Sequence, residues 1–160
     1  MDEHDRKFNS VLFVCTANRF RSPLASAIFQ MLLRNSGRGE PFTVSDAGTW
    51  TEGGLPVTKE ALIFGERLGI DLSKHLSQVI NSTILAEHHL IIVMEIGQKE
   101  AIISEFPESA RKVFVLTELD GGTPYDIPDP YILGEDAFEI SEEIRRLIIR
   151  NYDQIIQLSQ

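Results

Sequence analysis

The chain has 160 residues, of which 42% are hydrophobic, and 24 acidic against 15 basic side chains leave a formal net charge of −9. That length fits a single domain, residues 1–160, with a core large enough to need no disulfide or metal staple, and the lone cysteine permits no internal disulfide. The acidic balance argues against nucleic acid, where affinity comes chiefly from cationic contacts with phosphates. With no secretory signal, transmembrane run or lipidation motif in view, no membrane partner is expected and a reducing cytoplasm is the expected location.

Residues 1–7 are polar and expected to be loose. An apolar run predicts a strand over 8–14, followed by a helix over 23–35 that places Leu24, Ala27, Ile28 and Met31 on one face and stops at Gly37 and Gly39. A strand over 42–45, a Gly53-Gly54 turn and a helix over 57–68 after Pro56 come next, then a short helix over 82–87 opened by Asn81. Leu90 to Met94 and Val113 to Leu116 are continuous apolar runs, read as buried parallel strands, with a helix over 97–106 between them. Residues 134–158 read as one long amphipathic helix, with Ala137, Ile140, Ile144, Leu147, Ile148 and Ile155 in register. Four short strands alternating with helices define an α/β fold: one four-stranded parallel sheet with helices on both faces and a phosphate loop after the first strand, where such sheets bind ligands. His88-His89 is the one pair that invites a metal, but neighbours on a strand point to opposite faces and no ligand set accompanies them. No metal and no other cofactor is expected.

The most informative segment is CTANRFRS, Cys15 to Ser22, between the apolar Val11-Leu12-Phe13-Val14 and Pro23. Ser is a good N-cap and Pro a good first helical residue, so Ser22-Pro23 reads as a helix start. The backbone N–H groups of Thr16, Ala17, Asn18, Arg19, Phe20 and Arg21 would then curl around one point at a helix N-terminus, which favours an anion. The same field favours the thiolate of Cys15, while Arg21 offers a planar fork for two phosphate oxygens and compensates charge in the transition state. A second motif, Ile127-Pro128-Asp129-Pro130-Tyr131, presents Asp129 on a loop stiffened by proline on both sides. One carboxyl group there can protonate a leaving oxygen and then activate water.

These motifs resemble those of the low molecular weight protein tyrosine phosphatases. The family's phosphate loop C-x-G-N-x-C-R-S is here CTANRFRS, and its D-P-[YF] acid loop is here DPY. Its V-S-S-A-G-T and G-I-D-x-S-x-H-x-[AS] segments are matched by VSDAGTW (44–50) and GIDLSKHLSQ (69–78). The resemblance implies Cys15 as nucleophile, Arg21 as phosphate clamp and Asp129 as general acid. It also implies Asn18 and His75 as braces of the loop and the Ser22 hydroxyl as a hydrogen-bond donor to the thiolate. The resemblance also puts Trp50 and Tyr131 at the rim of the phosphate site, where they would sandwich a substrate ring, and Arg19 at a position that points toward the substrate, a solvated cation being the alternative.

Three departures stand out. Ala17 replaces a glycine, which leaves Asn18 as the residue suited to a left-handed conformation. Phe20 replaces a second cysteine, so oxidised Cys15 has no partner in the loop and over-oxidation is easier. Asp46 replaces a serine, and a carboxylate there opposes thiolate and phosphate unless it faces away. The resulting expectation is a phosphatase of phosphotyrosine in proteins, acting through a phosphocysteine intermediate, with a phosphorylated protein as substrate and inorganic phosphate or vanadate as ligand or inhibitor. The close alternative is phosphoarginine: bacterial members with that activity share a similar SAG-x-[FW] segment, but carry Thr where Arg19 stands, and a cation opposes a guanidinium substrate. A cysteine-based phosphocarrier needs neither Arg21 nor Asp129, a catalytically dead phosphate-binding module needs no acid, and arsenate reduction on this fold needs further cysteines.

Overall fold

A computed structural model describes residues 9–38 and 41–160; the expected loose segment 1–7 and Gly39 lie outside the described residues. The strands are β1 (Asn9–Cys15), β2 (Phe42–Gly48), β3 (Leu90–Val93) and β4 (Val113–Val115). They form one parallel sheet in the order β2-β1-β3-β4. Helices α1 (Arg21–Asn35), α2 (Lys59–Arg67), α3 (Ser82–Ala86), α4 (Ile96–Glu105), α5 (Pro130–Leu133), α6 (Ala137–Arg150) and α7 (Tyr152–Leu158) complete it, with 3-10 turns at Pro107–Lys112 and Leu116–Glu118.

The strands read as unbroken apolar runs because both faces of the sheet are covered. Val11 and Phe13 of β1 join Leu90 and Ile92 of β3 in a core under α1, α2, α6 and α7. Leu12, Val14, Ile91 and Val93 point the other way, into a second core with Leu85 of α3, Ile102 of α4 and Val113 and Val115 of β4. The chain leaves β1 to one side for β2 and to the other for β3, so the crevice at the carboxyl ends of the strands opens just beyond Cys15, the last residue of β1.

Two sequence expectations need correction. The helix expected over 134–158 is two, α6 and α7, starting after the short α5. Gly134, at φ 71°, ends α5 in a left-handed conformation; the Asp136 side chain caps α6 by accepting from the N–H groups of Phe138 and Glu139. Asn151 (φ −100°, ψ 11°) separates α6 from α7 while its buried Nδ2 donates to Leu147 O, a local bond that competes with helix continuation. The second correction is at α1, which begins at Arg21, with Phe20 in the N-cap position and no side-chain cap; Ser22 therefore lies inside the first turn.

Strand β2 also runs three residues beyond the expected 42–45, pairing Asp46, Ala47 and Gly48 with Phe13, Val14 and Cys15. Gly48 is required at that end, since a Cβ there would stand 2.5 Å from Thr16 O. The segment after it is laced to the turn that follows β1: Thr49 N–H donates to Cys15 O at 2.9 Å and Trp50 N–H to Thr16 O at 3.0 Å.

Candidate active site

Residues 16–20 form the turn between β1 and α1, and Asn18 is its pivot. It has φ 57°, the one positive value among the described non-glycine residues, and it is fully buried. Its side chain and backbone tie the turn to three elements. Nδ2 donates to Ser22 Oγ at 2.9 Å and to Asp46 Oδ1 at 2.7 Å, Oδ1 accepts from Gln78 N–H at 3.0 Å, and the carbonyl accepts from His75 Nε2 at 3.0 Å. Among the described residues no acceptor takes the amide protons of residues 17 to 20, which leaves that arc of donors for an anion.

Cys15 is 2% exposed, with Sγ 3.0 Å from Ser22 Oγ. Because Ser22 Oγ already accepts from Asn18, its own proton is available to the sulfur, with Ala47 O the more distant alternative at 3.4 Å. Of the two places expected for this hydroxyl, capping α1 and bonding the Cys15 sulfur, the structure shows the second. Asp46 does face away from the anion site: its Oδ1 binds Asn18 and stands 3.5 Å from His75 Nδ1, so a carboxylate brace occupies the place of a neutral one.

Arg21 is 2% exposed, and its guanidinium is fixed from one side: Nη1 donates to Glu95 Oε2 at 2.6 Å and to Ile127 O at 2.7 Å. Nη2 is 3.9 Å from Asp129 Oδ2. A buried guanidinium is tolerated when paired and hydrogen-bonded in this way, and the Nε and Nη2 edge is left to receive two oxygens. Gln98 holds Glu95 in turn, donating from Nε2 to Glu95 Oε2 and Thr16 Oγ1, both at 3.0 Å, while its Oε1 accepts from Met94 and Glu95 N–H. Asp129 caps α5, accepting from Tyr131 N–H at 2.9 Å through Oδ1, and keeps Oδ2 for the site.

Cys15, Ala17, Arg19, Phe20, Arg21, Thr58, Asp129 and Tyr131 line one cavity of about 310 Å³. The three groups expected to carry chemistry meet there. Thr16, Asn18, Ser22 and His75 stand behind it as supports, and Arg19 is tied to the loop before α2 by Nε donating to Pro56 O at 2.7 Å. Trp50, expected at the rim, is absent from the cavity lining and 84% exposed. Asp126 accepts from Ile96 N–H and Asp120 from Gly122 N–H, and neither lines the cavity. Glu95 and Gln98 were missed by sequence reading; a polar Glu and Gln just past the carboxyl end of a buried strand, the end where such sheets place their ligands, was the available signal.

Known proteins resemble this chain in sequence and in fold. A family described as "Low molecular weight phosphotyrosine protein phosphatase" matches residues 10–158. A "Probable low molecular weight protein-tyrosine-phosphatase EpsP" of Ralstonia nicotianae is 36% identical over 84% of this chain and 87% of its own length. A "Protein-arginine-phosphatase" of Geobacillus stearothermophilus is 34% identical over 76% of this chain and 78% of its own. The crystal structure of the low molecular weight protein tyrosine phosphatase from T. tengcongensis superposes with a TM-score of 0.81 at 31% identity, covering 91% of this chain and 98% of that one.

The aiming of Arg21 is testable by steady-state kinetics on p-nitrophenyl phosphate. Arg21→Lys, a point charge without the fork, lowers kcat roughly a hundredfold or more, nearly as much as Arg21→Ala. Glu95→Gln keeps shape and an acceptor but removes the counter-charge, and lowers kcat roughly tenfold with little change in KM.

Proposed function

The chain belongs to the low molecular weight phosphotyrosine protein phosphatase family, and from that footing we propose that it hydrolyses phosphotyrosine in proteins by way of a Cys15 phosphocysteine. The observation that carries the reading is the convergence of Cys15, Arg21 and Asp129 on one cavity, with the free amides of the turn behind it. The loop amides and Arg21 take the three non-bridging phosphate oxygens. Cys15 Sγ attacks phosphorus in line with the phenolic oxygen, and Asp129 delivers its proton to that oxygen as the P–O bond breaks. Ser22 holds the sulfur while Arg21 meets the charge spread over the flattening phosphoryl group. In the second step Asp129, now ionised, takes a proton from a water that attacks phosphorus. The P–S bond breaks, inorganic phosphate leaves, and Cys15 is again a thiolate. This chemistry calls for no metal or other cofactor.

Phosphoarginine is the second reading, favoured by the likeness to a protein-arginine-phosphatase. Arg19 counts against it, because a cation in the wall of the cavity opposes a guanidinium substrate. None of the described helices is long and apolar enough to cross a membrane, and a lone nucleophilic thiol is best kept in a reducing cytoplasm.

Wild-type protein assayed on phosphotyrosine and phosphoarginine peptides decides between the two readings: the expected result is faster turnover of phosphotyrosine, and the reverse preference overturns it. Cys15→Ser abolishes turnover yet leaves phosphate or vanadate affinity within about tenfold, because amides and Arg21 provide most ground-state binding. The rate with phosphotyrosine depends on the proton that Asp129 delivers as the P–O bond breaks. Asp129→Asn lowers that rate roughly a hundredfold or more, and much less for a leaving group that needs no proton. An unchanged rate with phosphotyrosine removes Asp129 as the acid.

A further inference from the structure

The cavity wall made by Tyr131 is held from outside the motifs that define the site. Tyr131 lies on α5, a single turn in which only Pro130 is buried, while Ile132 and Leu133 are 74% and 67% exposed and Gly134 follows in a left-handed conformation. Such a segment has little apolar anchorage of its own. Tyr131 is held by the Asp129 cap on its backbone N–H, by edge-to-face packing of its ring on Phe20 with centroids 5.6 Å apart at 89°, and by the phenol donating to Glu60 Oε2 at 2.6 Å beside the Thr58 side chain. Glu60 sits in the first turn of α2, and the start of α2 is registered to the phosphate loop, since Thr58 caps the helix and donates its N–H to Arg19 O at 2.9 Å.

We propose that Glu60 is a specificity-determining residue of this chain: by holding the Tyr131 hydroxyl it fixes the Tyr131 ring as a standing wall above the phosphate loop, at the height of a flat aromatic group carried on the bound phosphate. The choice of an aryl group rests on the phosphotyrosine reading above. The tie works across neutral pH. The bond from Tyr131 holds the Glu60 carboxyl below its ordinary range, and burial first, then the bond to Glu60, pushes the Tyr131 phenol up to about 12. Glu60 is therefore ionised and Tyr131 protonated wherever the enzyme works. The tie lies at the surface, where a single polar contact adds little to global stability, so its effect belongs in ligand affinity and not in melting temperature.

The test is titration calorimetry with two ligands that are not turned over, benzylphosphonate and inorganic phosphate. Wild-type protein binds benzylphosphonate more tightly than phosphate. Glu60→Ala weakens benzylphosphonate roughly three- to tenfold, the size of a lost aromatic contact, and leaves phosphate affinity unchanged, which also shows that the loop is folded. Glu60→Gln, whose amide oxygen still accepts from the phenol, keeps most of the affinity. Tyr131→Phe loses the same factor toward benzylphosphonate as Glu60→Ala, and the double variant loses no more than either, as expected of two residues acting as one unit. The proposal is overturned if wild-type protein shows no preference for the aryl ligand, if Glu60→Ala binds both ligands as wild type does or loses both alike, or if the two substitutions add. Failure of the phosphotyrosine reading is separate, appearing as wild-type turnover of phosphoarginine peptide in preference to phosphotyrosine peptide with the ring slot intact.

Discussion

A left-handed residue that is not glycine costs on the order of 1–2 kcal/mol, and this protein places one, Asn18, fully buried in the turn that carries its chemistry. The reversal at φ 57° brings Cys15 at the end of β1 and Arg21 at the start of α1 to face one point. Four hydrogen bonds offset the strain, reaching Ser22 on α1, Asp46 on β2, and His75 and Gln78 in the segment after α2. Two of those contacts bear directly on Cys15 and the anion site. The bond to Ser22 frees the serine proton for Cys15 Sγ, and the bond to Asp46 turns a carboxylate that would oppose an anion into a support behind it. Gly48 belongs to the same constraint, because only a residue without Cβ lets β2 approach Thr16 O closely enough for the lacing at Thr49 and Trp50.

Electrostatically the site is an island in an acidic molecule. The formal net charge is −9, yet the turn collects unused amides, a helix N-terminus and the Arg21 guanidinium in one place. Arg21 is held from one side by Glu95 and Ile127 O, with Asp129 Oδ2 3.9 Å from its other edge. The acid loop is positioned through the same cation, and Ile127 N–H donates to Met94 O at 3.0 Å just after β3. In the proposed reaction, that proximity of Arg21 and Asp129 leaves little to reorganise.

Much of this was legible in the sequence because it depends on local signals. Apolar runs at Val11–Val14 and Leu90–Met94 mark strands buried on both faces, and Asn18 stood out as the residue able to take a left-handed turn once Ala17 had replaced glycine. Of the far partners, only His75 was legible, through the family resemblance. Nothing in the periodicity near Asp46 announces that β2 continues to Gly48, since Ser45-Asp46 interrupts the apolar pattern and the pairing is set by β1. The break at Asn151 depends on a side-chain bond to Leu147 O that competes with the helix, which the hydrophobic register of 137–155 cannot report. Ser22 looked like a cap because its type favours caps, and only the family resemblance paired its hydroxyl with Cys15, where it lies. Glu60 is an ordinary surface-type residue in sequence and meets the site only because Thr58, at the start of α2, is bonded to Arg19 O. Trp50, adjacent to the loop in sequence terms, turns outward while its backbone alone holds the turn.

The claim that the side-chain bonds of Asn18, and not merely its backbone conformation, hold the catalytic turn is tested most directly by kcat for p-nitrophenyl phosphate in Asn18→Gly. Glycine adopts the left-handed conformation without steric cost, so the substitution keeps the path of the chain and removes only the side-chain hydrogen bonds. The account predicts a protein that still folds cooperatively by circular dichroism but whose kcat falls roughly tenfold or more, as expected for unmaking a buried polar hub. A folded Asn18→Gly protein with wild-type kcat would contradict it.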